Sequence, residues 1–182
     1  MNARLFVALE LPAAVRGALA AFGAAAAERA DGLRAVGEEG LHLTLAFLGH
    51  RPLEDVEPAR AAVRGVASQS LRLALGEPLW LGPRRPQVLT VALEDSDGAL
   101  AALRADVVER LAAALEWEPE SRRFRPHVTV ARVRRGARPR THDVPEPPQA
   151  TFAGETVVLY RSHLGGGPAR YEALERVVLT SR

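Results

Sequence analysis

Apolar residues along this chain recur at two different spacings, and the switches between them predict its elements. Arg4 to Glu10 alternates as a strand does. Pro12 then opens an Ala-rich segment in which Val15, Leu19, Phe22 and Ala26 fall on one helical face, ending near Asp31-Gly32. Leu41 onward is β-like and stops at Gly49, and Pro52 to Ala67 reads as a second helix with Val56, Val63 and Val66 inward. Leu71 to Leu75 and Val88 to Leu93 read as strands, parted by the turn signals Gly82-Pro83 and Arg85-Pro86. Ser96-Asp97 is placed to cap a long helix with Leu100, Leu103, Val107, Leu111 and Leu115 inward, which Pro119 ends. A strand around Val128 follows, then a proline-rich connection from Pro139 to Pro148 expected as an ordered surface loop. Two strands, Glu155 to His163 and Tyr171 to Thr180, flank the turn Gly165-Gly166-Gly167.

Strand, helix and a histidine-bearing strand thus occur twice. That order predicts an α+β fold of two pseudo-symmetric lobes, each an antiparallel sheet with helices on the outside. With 182 residues, 47% of them hydrophobic, the chain can bury a core as one two-lobed domain over residues 1–182. The absence of Cys excludes disulfides and thiolate metal sites. The apolar stretch Leu5 to Leu9 is far too short for a signal-peptide core or a membrane span, so a soluble cytoplasmic protein is expected.

The two histidine strands carry nearly the same text: Leu41-His42-Leu43-Thr44-Leu45 and Pro126-His127-Val128-Thr129-Val130. Residues two apart in a strand share a face, so each segment sets an imidazole beside a hydroxyl and turns its apolar residues the other way. A lone strand histidine is most often a core or edge residue with a backbone partner. Two copies in the same context, close to half the chain apart, point instead to equivalent halves of one site. Two imidazoles on one cleft can give one proton and take another near neutral pH. A catalytic zinc needs three protein ligands, and neither motif carries a third at ligand spacing, so a site without metal or cofactor is expected. His50, His142 and His163 lie near turns and are expected to face solvent, while Phe6 and Phe47 suit either base stacking or, more commonly at such positions, the core.

Charge sharpens this picture. All 24 basic residues are Arg, and eight crowd between Arg122 and Arg140 around the second motif, although the net charge is only +2. Such a run often means no more than solvated surface. Beside a pair of imidazoles, guanidiniums that grip phosphate in bidentate fashion and stack on bases also suit a nucleic acid or nucleotide.

Arg4 to Pro12, His42 to Gly49, Pro126 to Arg132, and Leu159-Tyr160-Arg161-Ser162 with Gly167 and Tyr171 together resemble the 2H phosphoesterases. The nearest branch is the bacterial and archaeal RNA 2′,3′-cyclic phosphodiesterases, also called 2′-5′ RNA ligases. Ala46 stands where members often carry Lys, and the triple glycine is another departure. The resemblance implies that the His-x-Thr strands line a central cleft. It implies hydrolysis of an RNA 2′,3′-cyclic phosphate end to a 2′-phosphomonoester, with 2′-5′ ligation as a companion reaction. It further implies that His42 protonates the leaving 3′ oxygen, His127 activates water, and Thr44, Thr129 and Arg132 contact the phosphate. Strict alternation would turn Arg132 away from His127, so that contact requires a twist, bulge or strand end between them. The residues leave other readings open: a non-catalytic RNA-binding module, or a 2H enzyme for a small cyclic nucleotide. A two-lobed domain completes its site without a second copy, so a monomer is expected.

Overall fold

The computed structural model describes residues 2–163 and 169–180; the expected Gly165 to Gly167 turn lies outside them. Within these, the chain runs β1 (Asn2–Leu9), α1 (Ala13–Arg29), β2 (Leu33–Ala35), β3 (Leu43–Pro52), α2 (Val56–Arg64), β4 (Leu71–Leu81) and β5 (Val88–Glu94). It continues through α3 (Ala99–Ala114), β6 (His127–Val133), β7 (Thr151–Gly154), β8 (Thr156–His163) and β9 (Arg170–Val178). No helix among the described residues is long and apolar enough to cross a membrane.

The strands form a curled antiparallel sheet in the order β7-β4-β5-β6-β3-β1-β8-β9, with β2 on β6. The two expected lobes are its halves, joined at one register pair, Leu43 with Val128. From that pair β3 and β6 diverge, and β2 takes the edge of β6 that β3 leaves, pairing Leu33 to Ala35 with Val133 to Ala131. The opening between the diverging strands is the cleft.

Helices cover the outside as expected, but each crosses over. The helix α1, between β1 and β3 in the chain, packs on β2 and β6, whereas α3, between β5 and β6, packs on β3 and α2. Val15, Leu19, Phe22 and Ala26 are buried on α1, as their spacing predicts, and Leu100, Leu103, Val107 and Leu111 on α3. Gly23 allows the close approach of α1 to β6, because a Cβ there would lie 2.5 Å from the Val130 carbonyl oxygen. The helices thereby brace each other's motif strand.

Several boundaries differ from expectation. The strand β3 does not stop at Gly49. That residue takes φ +74°, which glycine adopts at no steric cost, and absorbs a bulge so that pairing with β1 resumes out to Pro52. The strand β4 runs past Leu75 to Leu81 through an irregularity before Pro78. The helix α2 is shorter than Pro52 to Ala67, being preceded by a 3-10 turn at Leu53–Asp55, and Val66 is buried just beyond its end. The first amides of α3 bond the carboxylates of Asp95 and Asp97, with no bond from Ser96. In β1, Leu5 through Leu9 are all buried rather than alternating, because Leu5, Val7 and Leu9 sit in the core while Phe6 on the other face is covered by His42, Tyr160 and Tyr171.

Candidate active site

Leu43 and Val128, the pair that joins the halves, are fully buried. Their neighbours in sequence therefore face the opposite way, toward the cleft. Antiparallel geometry about that pair sets His42 across from Thr129 and Thr44 across from His127, so one local two-fold relates the motifs. All five residues predicted from the sequence, His42, Thr44, His127, Thr129 and Arg132, line a single cavity of about 150 Å³.

The presence of Arg132 there has a specific cause. On β6, Thr129 pairs with Thr90 and Ala131 with Leu89, which leaves Val130 as an extra, unpaired residue. This bulge inverts the alternation: Val130 and Ala131 are both buried, and Arg132 emerges on the face of His127. The same event occurs on β3, where Ala8 pairs with Thr44 and Val7 with Ala46, leaving Leu45 unpaired. Leu45 and Ala46 are buried in succession, and Phe47 turns into the cleft. Phe47 is thus the counterpart of Arg132, each five residues after its histidine. At 48% exposure Phe47 is not a core residue, unlike Phe6, which is buried.

Each imidazole is anchored by the carbonyl two residues upstream. The Nδ1 of His127 donates to the Arg125 oxygen at 2.6 Å, which leaves Nε2 as the free ring nitrogen of the neutral form. The ring of His42 bonds the Gly40 carbonyl. Beyond this shared anchor the two environments differ. Around His42 stand Phe6 at 4.8 Å between centroids and Tyr171, edge-on, at 5.3 Å, while Tyr160 stacks on Phe6 at 5.3 Å. Burial in this aromatic box pushes the His42 pKa down to about 4. The Gly40 carbonyl opposes the shift, and the charges of Arg132 and His127 add to it. At pH 7 His42 is neutral.

The box has its own support. The Tyr160 hydroxyl donates to Glu10 at 2.6 Å, and the Arg176 guanidinium bonds the other oxygen of that carboxylate. Burial, with the adjacent Glu10 charge, raises the Tyr160 pKa well above its ordinary value, so its hydroxyl stays protonated and donating. Arg4 reaches the cleft from β1, bonded to Ser162 at 3.1 Å and lying 4.8 Å over the Phe47 ring. Among the described residues the cleft is lined by the guanidiniums of Arg4 and Arg132 and by no carboxylate. That balance favours an anion. Arg4 and Tyr171 were not singled out as site residues by sequence reasoning, and Phe47, weighed for base stacking, was expected more commonly in the core, although equal spacing after the two histidines would have marked it.

The remaining histidines do not join the site. His50, His142 and His163 are exposed, and His163 pairs with Glu172 at 2.9 Å. No group of three His, Asp or Glu side chains among the described residues is placed to hold a metal ion.

Residues 13–166 match the family described as the 2′-5′ RNA ligase superfamily. The chain is 31% identical, over 93% of its length, to an RNA 2′,3′-cyclic phosphodiesterase of Geobacillus stearothermophilus, but spans only 55% of that relative. It is 29% identical to the RNA 2′,3′-cyclic phosphodiesterase of Escherichia coli K12, with 97% of each chain covered. Its fold superposes on the crystal structure of E. coli LigT complexed with 3′-AMP at a TM-score of 0.80, with 26% identity and 99% of both chains covered.

Proposed function

The chain belongs to the 2′-5′ RNA ligase superfamily, and from that premise we propose that it is an RNA 2′,3′-cyclic phosphodiesterase working by two-histidine acid-base catalysis. The observation that carries this reading is the pairing of His42 and His127 about the Leu43 and Val128 contact, on one cleft lined by two guanidiniums. Water attacks phosphorus and gives its proton to Nε2 of His127. The bond from phosphorus to the 3′ oxygen breaks, His42 protonates that oxygen, and a 2′-phosphomonoester with a free 3′ hydroxyl remains. Each proton transfer contributes roughly 10² to 10⁴ in rate. Thr44 and Thr129 donate to the non-bridging oxygens, and Arg4 and Arg132 balance their charge.

His42 is neutral at pH 7. Its proton arrives with the substrate, because a phosphate anion beside the ring favours imidazolium and offsets the charge of Arg132, while His127 stays neutral as the base. The same transfer, with an RNA 5′ hydroxyl in place of water attacking phosphorus and the 3′ oxygen leaving, is 2′-5′ ligation and needs the same groups. A cleft lined within one copy of the chain needs no second subunit, so the proposal is a monomer, with the cytoplasm as its proposed compartment.

Phosphorus NMR of an oligonucleotide ending in a 2′,3′-cyclic phosphate, incubated in excess EDTA with wild type, His42→Ala and His127→Ala, tests this. Conversion to the 2′-phosphate by wild type alone is expected. No conversion by wild type, with RNA still bound, would replace the enzyme by an RNA-binding module.

A further inference from the structure

A cleft of about 150 Å³ is smaller than the ~300–1,000 Å³ typical of sites that enclose a whole small molecule. It admits a phosphate and the edge of a ribose, and the rest of an RNA substrate must lie elsewhere. A groove of about 750 Å³ opens from it, sharing Thr44, Phe47 and His127, and runs between β3, the end of β4, α3 and residues 117–125.

The lining of this groove suits one class of ligand. Arg104 lies 4.6 Å over the Phe124 ring, and its buried Nε has no hydrogen-bond partner. Among the described residues neither Arg104 nor Arg123 forms an ion pair. The acid of the groove, Glu120, is engaged by Arg122 at 3.2 Å. The rings of Phe47 and Phe124 add flat faces to these unpaired guanidiniums. Guanidiniums for phosphates beside rings for bases make up the recognition chemistry of single-stranded nucleic acid. An RNA ending in a cyclic phosphate continues only on the 5′ side of that end, so one groove leading away from the imidazoles is sufficient.

We propose that this groove binds the nucleotides immediately 5′ of the reacting end of a single-stranded RNA, with Arg104 and Arg123 on their phosphates and Phe124 or Phe47 beneath a base. The assignment rests on the phosphodiesterase reading, which supplies the position of the reacting end. It makes the protein selective for oligonucleotides over mononucleotides.

The test compares kcat/KM for a trinucleotide ending in a 2′,3′-cyclic phosphate with that for a mononucleoside 2′,3′-cyclic phosphate, in wild type, Arg104→Gln and Arg123→Gln. Wild type favours the trinucleotide, and each variant lowers that preference roughly 10-fold, the worth of one charged hydrogen bond. The dependence of log kcat/KM on log salt for the trinucleotide becomes shallower by about 0.7 for each RNA phosphate deprived of its guanidinium. A folding defect would depress both substrates together and leave the ratio unmoved. Equal turnover of both substrates by wild type, or an unchanged preference in both variants, overturns the groove assignment. If wild type cleaves neither substrate, the phosphodiesterase reading fails on its own. Fluorescence anisotropy with a labelled trinucleotide 3′-phosphate then decides the groove: weaker, less salt-sensitive binding by the variants keeps it, and unchanged binding overturns it.

Discussion

Acid is the perturbation that isolates the aromatic box. His42 has a pKa of about 4 in the folded protein, against 6.5 ordinarily, because burial penalises its charged form. The unfolded chain therefore binds a proton that the folded chain refuses. The stability contributed by neutral His42 is fully present above pH 6.5 and is lost as pH falls through the interval down to about 4. A shift of this size corresponds to about 3 kcal/mol in full, of which roughly 2 kcal/mol is forfeited between pH 7 and pH 4.5. Carboxylates titrate across the same range, so the measurement is a difference: urea unfolding of wild type and His42→Gln near both pH values. Wild type should lose about 2 kcal/mol more than the variant on acidification. The Cε1 proton of His42, followed by NMR, should titrate well below that of an ordinary histidine. Equal losses in the two proteins, or titration of His42 near 6.5, would refute the claim that the box desolvates this ring.

Inorganic phosphate or a 2′-nucleotide bound in the cleft should raise the His42 pKa by at least about one unit, read by the same NMR signal; no change would remove His42 from the acid role. Gly23→Ala places a methyl 2.5 Å from the Val130 carbonyl oxygen and should cost about 1–3 kcal/mol in urea unfolding, despite the higher helix propensity of Ala. A more stable variant would mean that α1 does not bear on the bulge. Leu43→Ala empties a fully buried position in the joining pair and should cost about 2–5 kcal/mol while also lowering kcat. Leu73→Ala, similarly buried in β4 away from the cleft, should match it in urea but leave kcat nearly intact. Equal kcat in the two variants would separate the pair from catalysis.

Much of this architecture was legible because period is a local property. Val15, Leu19, Phe22 and Ala26 announce α1, Leu100 through Leu111 announce α3, and the duplicated His-x-Thr text marks the two motif strands before any contact is known. The strands β2 and β7, of three and four residues, are too short to show a period, and tertiary pairing makes them. Gly49 reads as a stop because nothing local distinguishes a turn glycine from one that absorbs a bulge inside a continuing strand.

Residue type and spacing were enough to pick out His42, Thr44, His127 and Thr129, since both are written in the chain, whereas Arg132 was marked only by the family resemblance and strict alternation would have turned it away. How those side chains meet depends on the folded whole. The bulges at Leu45 and Val130 exist because partner strands pair around them, and they turn Phe47 and Arg132 into the cleft. The difference between the histidines has the same origin. Phe6, Tyr160 and Tyr171 come from β1, β8 and β9 to enclose one imidazole and not the other. His42 thus holds its proton less tightly than an ordinary imidazole, because desolvation depends on what packs around a ring rather than on its neighbours in the chain.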